Sequence, residues 1–128
     1  MRKLGIILLC LMTAVLLLLY ARCYWTGPSA PLLREYGFVL RGITLSGTLY
    51  RTRLDSVESA SLRRKVEAAG WDSIASCDSL FLPITTDFDF HAEKGDYYAW
   101  KHFDRAELTC HLIIRRDGTV LFHQFDTN

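Results

Sequence analysis

The sequence predicts an α+β protein: an N-terminal transmembrane helix followed by a small antiparallel sheet with one packed helix. Three stretches carry that expectation. Residues 4–20, LGIILLCLMTAVLLLLY, contain no charge. Residues 56–70, SVESASLRRKVEAAG, place Leu62, Val66 and Ala69 at the i, i+4, i+7 spacing of a helix with one apolar stripe, and Val57 begins that stripe. Residues 107–125, ELTCHLIIRRDGTVLFHQF, give two β-rich runs around an Asp117-Gly118 turn. A helix and hairpins of this kind pack as an antiparallel sheet with the helix on one face.

At ~1.5 Å per residue a helix over residues 4–20 measures roughly 25 Å, slightly under the ~30 Å hydrocarbon core of a bilayer. Arg22 can snorkel to the headgroups, and Tyr24 and Trp25 suit the interface. A cleaved secretory signal competes with this reading, because Arg2 and Lys3 form a positive n-region. The apolar run exceeds the usual ~7–15 residues of a signal, and Ala21-Arg22-Cys23 is a poor cleavage site. Both features favour an uncleaved anchor. Arg22 before Cys23 also argues against a lipoprotein signal. Residues 1–25 are thus read as a membrane anchor, 26–34 as a linker and 35–128 as an exported domain. Arg2, Lys3 and the free amino terminus outweigh Arg22, which keeps the N-terminus cytoplasmic and sends the domain to the periplasm or exterior.

Beyond residue 23 the chain carries 12 Lys and Arg against 14 Asp and Glu, a net charge of −2. Such a balance excludes nucleic acid as a partner, since phosphate binding needs a basic patch. The bilayer and another protein are the partners expected. Cys77 and Cys110 are the two cysteines of the exported domain, and in an oxidising compartment they can form one disulfide. The alternative is two buried thiols.

Within the exported region, TGPSAP at 26–31 reads as a stiff polar spacer in which Pro28 and Pro31 disfavour helix. FVLRGITLSGTLYRTRL, from Phe38, reads as a hairpin around Ser46-Gly47. Asp55 and Glu58 make a capping box for the helix that follows, and Gly70 stands where a helix-ending glycine belongs. The Arg63-Arg64-Lys65 run is taken as a solvated helix face. SLFLPIT, 79–85, is short, apolar and interrupted by Pro83, as an edge strand would be.

Candidate chemistry concentrates in ITTDFDFHAEKGDYYAWKHF, residues 84–103. On an extended TDFDFH, Asp87, Asp89 and His91 share one face while Phe88 and Phe90 occupy the other. Same-face neighbours lie ~6.6 Å apart, too far for three side chains to converge on one ion unaided. A metal site would need His111 or His123 from the C-terminal hairpin. In a two-residue Asp117-Gly118 loop those imidazoles fall on opposite faces; in a three-residue Arg116-Asp117-Gly118 loop with a glycine bulge they become cross-strand neighbours. The sequence permits both. A metal ion bound by Asp87, Asp89, His91, His111 and His123, as a metal binder or metal-dependent hydrolase, is therefore the second functional reading, and no other cofactor is indicated. Cys110-His111 is not a thiolate–imidazole pair, because adjacent strand residues face opposite ways. No GxSxG, HExxH or glycine-rich phosphate loop occurs. On DYYAWKHF, Tyr98, Trp100 and His102 share one strand face and Tyr97, Ala99, Lys101 and Phe103 the other. An open Tyr98-Trp100-His102 face is what protein-binding surfaces favour. The first functional reading is accordingly a membrane-anchored, non-enzymatic binding or accessory module, and a secreted protein with its signal removed is the variant of it that differs in location.

Overall fold

Residues 2–21, 27–43, 47–78 and 90–126 are described by the computed structural model, and the chain divides into two units, Met1–Glu35 and Tyr36–Asn128. The first unit holds α1 (Arg2–Ala21) and the short α2 (Ala30–Glu35). Every described side chain of α1 is exposed, from Leu4 at 63 % to Leu18 at 70 %. Its Thr13 hydroxyl is satisfied within the helix, donating to the Leu9 carbonyl at 2.8 Å. Among the described residues no helix is long and apolar enough to cross a membrane. Arg2 and Lys3 take up the first turn, and the described uncharged side chains, residues 4–18, extend for only about 22 Å. The stretch read as a linker contains α2 instead: Pro31 falls in its first turn, where a helix needs no N–H from that residue. Ala30 and Leu33 are buried.

In the second unit, β1 (Val39–Ile43) and β2 (Gly47–Arg53) pair antiparallel, and α3 (Ser56–Ala68) follows. Then come β3 (Asp72–Ile74), β4 (Tyr97–Phe103), β5 (Leu108–Ile114) and β6 (Thr119–Asp126). The strands form one six-stranded antiparallel sheet of order β1-β2-β6-β5-β4-β3. α3 carries the chain from the β1–β2 hairpin to the far edge, and the β3–β6 meander returns until β6 meets β2. The architecture is α+β, with β5 and β6 at its centre. The expected strand at 79–85 lies outside the described residues.

Alternation along the central strands divides the side chains between two faces. One face carries Tyr50, Phe122, Leu112, Val120, Ile114 and Tyr97, and α3 lies against it. Leu62 and Val66 are the helix residues fully buried there, each stabilising the fold by about 1.5–3 kcal/mol through removal of apolar surface from water. Val57, expected on the same stripe, stands in the first turn of α3 and is 73 % exposed. The Phe122 ring packs edge-on against both Phe38, 5.8 Å between centroids, and Tyr50, 6.2 Å. Arg63 and Lys65 do more than face solvent. The Arg63 guanidinium sits 4.6 Å above the Tyr97 ring and the Lys65 ammonium 5.3 Å above Tyr36.

The ends of α3 follow the sequence signals. Asp55 is the N-cap, its carboxylate accepting from Glu58 N–H at 2.8 Å. At the other end Gly70 N–H donates to Glu67 and Trp71 N–H to Val66, a Schellman pair that requires the positive φ of Gly70, +85°.

The expected Cys77–Cys110 disulfide does not form. Cys77 packs with Tyr98 and Ile113 on the face opposite α3, whereas Cys110 alternates to the α3 side with Leu112, its thiol 3.9 Å from Gln124 Oε1. The sheet itself separates the two sulfurs.

Candidate functional site

The C-terminal hairpin decides where the histidines go. Gly118 N–H donates to the Arg115 carbonyl and Arg115 N–H to Thr119, closing a three-residue Arg116-Asp117-Gly118 loop with Gly118 at φ +92°. A Cβ at Gly118 would meet the Leu54 carbonyl oxygen at 2.6 Å, and the Gly118 carbonyl accepts from Leu54 N–H at 2.9 Å. The loop therefore docks on the junction between β2 and α3, where a side chain has no room. Thr119 N–H donates to the Asp117 carboxylate at 2.9 Å and holds it below the usual carboxylate range. This register makes His111 and His123 direct cross-strand partners.

Both imidazoles are buried, His111 at 7 % exposure and His123 at 0 %, with ring centroids 6.5 Å apart. They lie on the face opposite α3 in an aromatic setting. Phe125 stacks on His111 at 5.2 Å and 8°, and Phe90 approaches His123 at 5.5 Å and His111 at 6.4 Å. The Tyr98 hydroxyl is hydrogen-bonded to His111 Nδ1, while His111 Nε2 has no hydrogen-bond partner among the described residues. Leu49, Cys77, Phe90, Ala92, Tyr98, Ile113 and Leu121 complete the apolar cluster, with Trp100 packed at its margin.

This burial sets the protonation states. Desolvation, reinforced by the neighbouring His123, pulls His111 from 6.5 down to about 4. Desolvation, with Cys77 beside it, pushes the Tyr98 phenol well above its ordinary value. Burial likewise raises Cys77, and Asp96 and Asp78 add to the effect. At neutral pH the centre holds a neutral imidazole, a protonated phenol and a protonated thiol. None of these is a poised nucleophile.

Of the expected metal ligands, His91, His111 and His123 are among the described residues, and they do not form a group of three. Asp87 and Asp89 lie outside the described residues. His91 turns to the surface, its Nε2 3.4 Å from Glu93 Oε1. Among the described residues no group of three or more His, Cys, Asp or Glu could hold a metal ion. Two imidazoles come together, and among the described residues their neighbours are mainly rings and aliphatics, with the Tyr98 hydroxyl on His111.

The expected partner-binding residues separate by depth. Tyr98 is 3 % exposed and belongs to the cluster; Trp100 stacks on it at 5.1 Å and 29° and is half-buried; His102 is exposed, bonded through Nδ1 to Thr109 and through Nε2 to Asp104 at 3.1 Å. Ile74 of β3, 37 % exposed and paired with Tyr98, extends this rim to the sheet edge. Reasoning from the sequence missed Phe90, Cys77 and Phe125 as members of the histidine cluster. Phe125 could have been found from its period-two spacing to His123; Cys77 and Phe90 approach from irregular chain, where spacing carries no such information.

A concavity of about 430 Å³ lies where the N-terminus of α3 meets the β5–β6 turn, lined by Asp55, Ser59, Arg63, Arg115, Arg116 and Asp117. It carries both signs of charge. No protein-family model, curated protein or solved structure matches this chain.

Proposed function

We propose that the chain is a single-pass membrane protein with a cytoplasmic N-terminus, whose α+β domain works in the periplasm or exterior as a non-enzymatic binding or accessory module for another protein. One observation carries the reading: over residues 4–18, α1 is uncharged on all sides and its side chains are exposed on all sides. A helix of that kind needs an apolar environment, either a protein core or a bilayer. The uncharged sequence continues through Leu19 and Tyr20 to a total of roughly 25 Å, and a bilayer adapts to a span a few Å short by thinning or by snorkelling of Arg2, Lys3 and Arg22. The internal hydrogen bond of Thr13 suits a site without water.

For the binding role, the support is the rim of Ile74, Trp100 and His102. An aromatic ring half-open beside an aliphatic and an imidazole is the composition that protein contacts use. Tyr98 supports the rim from below by stacking on Trp100. A photo-crosslinking residue placed at His102, in the full chain and its native membrane, is expected to capture a defined partner that the same residue at Val57, on the opposite side, does not. Equal capture from both positions would remove the rim from the proposal.

A further inference from the structure

The second half of β2 carries arginine where its first half carries core. Alternation puts Leu49, Arg51 and Arg53 on the face opposite α3; Leu49 is buried in the apolar cluster, and the two arginines that follow it are exposed. A third arginine joins them from the neighbouring strand. β1 pairs with β2 regularly at Val39 and Leu40, then the register shifts before Gly42, so Arg41 is the extra residue of a bulge. Arg41, Arg51 and Arg53 line one concavity of about 380 Å³ together with Val39, Thr52 and Thr119. Three guanidiniums thus share one small groove in a region whose 12 Lys and Arg are outnumbered by 14 Asp and Glu.

The two threonines are already committed. Thr52 donates its hydroxyl to the Tyr36 carbonyl at 2.9 Å, and the Thr119 hydroxyl is bonded to the Asp117 carboxylate. Arg53 donates from one nitrogen to the Asp117 carbonyl at 3.4 Å and feels the Asp117 carboxylate, whose first partners are the N–H and hydroxyl of Thr119. The guanidiniums are therefore the groups in this groove that can recognise a ligand.

We propose that the groove over β1 and β2 binds a phosphomonoester, held by Arg41, Arg51 and Arg53. Such a group carries about −1.5 to −2 charges at pH 7 and three strong acceptor oxygens. Three planar forks match it in sign and in number. A carboxylate carries one charge and is satisfied by one fork, which would leave two like charges crowded beside it. A nucleic-acid backbone requires a basic surface spread over several phosphates, which a groove of this size does not provide. β1 is the last strand of the sheet and Val39 is 61 % exposed, so the rest of the ester has an open side on which to extend. A bulge that only guards an edge against pairing uses one charge at Arg41 and makes no demand on Arg51 or Arg53. The site depends neither on where α1 resides nor on the rim of Ile74, Trp100 and His102. Its phosphate can belong to a soluble ester or to a lipid headgroup, since the recognition chemistry is the same.

NMR of the arginine Nε–H signals tests this, on the full chain in nonionic micelles at pH 7 and constant ionic strength, titrated with glycerol 3-phosphate or with acetate. The expected result is a saturable shift of the Arg41, Arg51 and Arg53 signals with the phosphate ester, while exposed Arg105, in the β4–β5 turn, stays still. Arg51→Gln is expected to weaken binding about tenfold, and Arg51→Lys to recover part of it, because an ammonium restores the charge and not the fork. Absence of a saturable shift, equal affinity for acetate, or an Arg51→Gln variant that binds as well as wild type would overturn the proposal. Should Arg51→Gln not fold, Arg41→Gln takes its place with the same expected loss. Micelles doped with phosphatidic acid separate the sources. Movement of the three signals without added ester assigns a headgroup, and movement with the soluble ester alone assigns a soluble ligand.

Discussion

His111 shows how one side chain can hold a strand pairing and a pH response together. Its Nδ1 is spent on Tyr98 and its ring on Phe125, so the neutral form is well served and the charged form is not. The same displaced titration makes domain stability depend on pH. Because the folded pKa, about 4, lies below 6.5, the neutral form's stability is complete above 6.5 and is lost progressively as the pH falls to about 4. The loss attributable to this group is about 3 kcal/mol. Denaturant unfolding of wild type and His111→Gln at pH 7 and pH 4.5 is expected to show the larger acid loss in wild type by that order. Equal losses in the two chains would remove His111 from the pH response.

Gly118 illustrates a residue fixed by geometry. Gly118→Ala meets both a strained φ and the Leu54 carbonyl at 2.6 Å, and is expected to cost about 2–3 kcal/mol. At Gly37, also at positive φ (+68°) but with nothing within 4 Å, Ala is expected to cost only about 1 kcal/mol. Thermal unfolding of the two variants separates the close approach from the backbone term. Equal shifts in Tm would mean that the β5–β6 turn does not bear on Leu54.

At the scale of elements, α3 and the β5–β6 hairpin were legible in the sequence for local reasons. Asp55, Glu58 and Gly70 announce a helix by the hydrogen bonds its ends require, and Asp117-Gly118 announces a turn by its φ. Asp55→Ala is expected to lower stability by about 1 kcal/mol, read from the denaturation midpoint, through loss of the Glu58 N–H acceptor. No change would mean that the first turn of α3 does not rely on its cap. The choice between the two loop lengths was not legible. It depends on docking of Gly118 against Leu54, a contact 64 residues away in sequence, and on that choice hangs whether His111 and His123 meet. The disulfide expectation failed for a similar reason, because two cysteines 33 apart reveal nothing about which face of a sheet each one takes. α2 was missed because Pro31 was weighed as a breaker, while in a first turn it is compatible with helix.

Taken as a whole molecule, the chain joins an apolar helix to a sheet whose two faces differ in their cover. One face is closed by α3, whose ends are capped and whose Leu62 and Val66 are fully buried. The other carries, among the described residues, Phe90 and Ala92, with the half-open Trp100 and exposed His102 at its margin. We propose that α1 anchors the chain and that the rim of Ile74, Trp100 and His102 binds a partner protein. That account stands on α1 being held by a bilayer. Its most direct test is a protease-protection experiment on intact cells expressing the full chain with a tag at each end. External protease is expected to remove the C-terminal tag and the domain while the N-terminal tag stays protected in the membrane fraction after alkaline carbonate extraction. Recovery of the chain in the carbonate-soluble fraction, or a mature protein lacking residues 1–23, would contradict it.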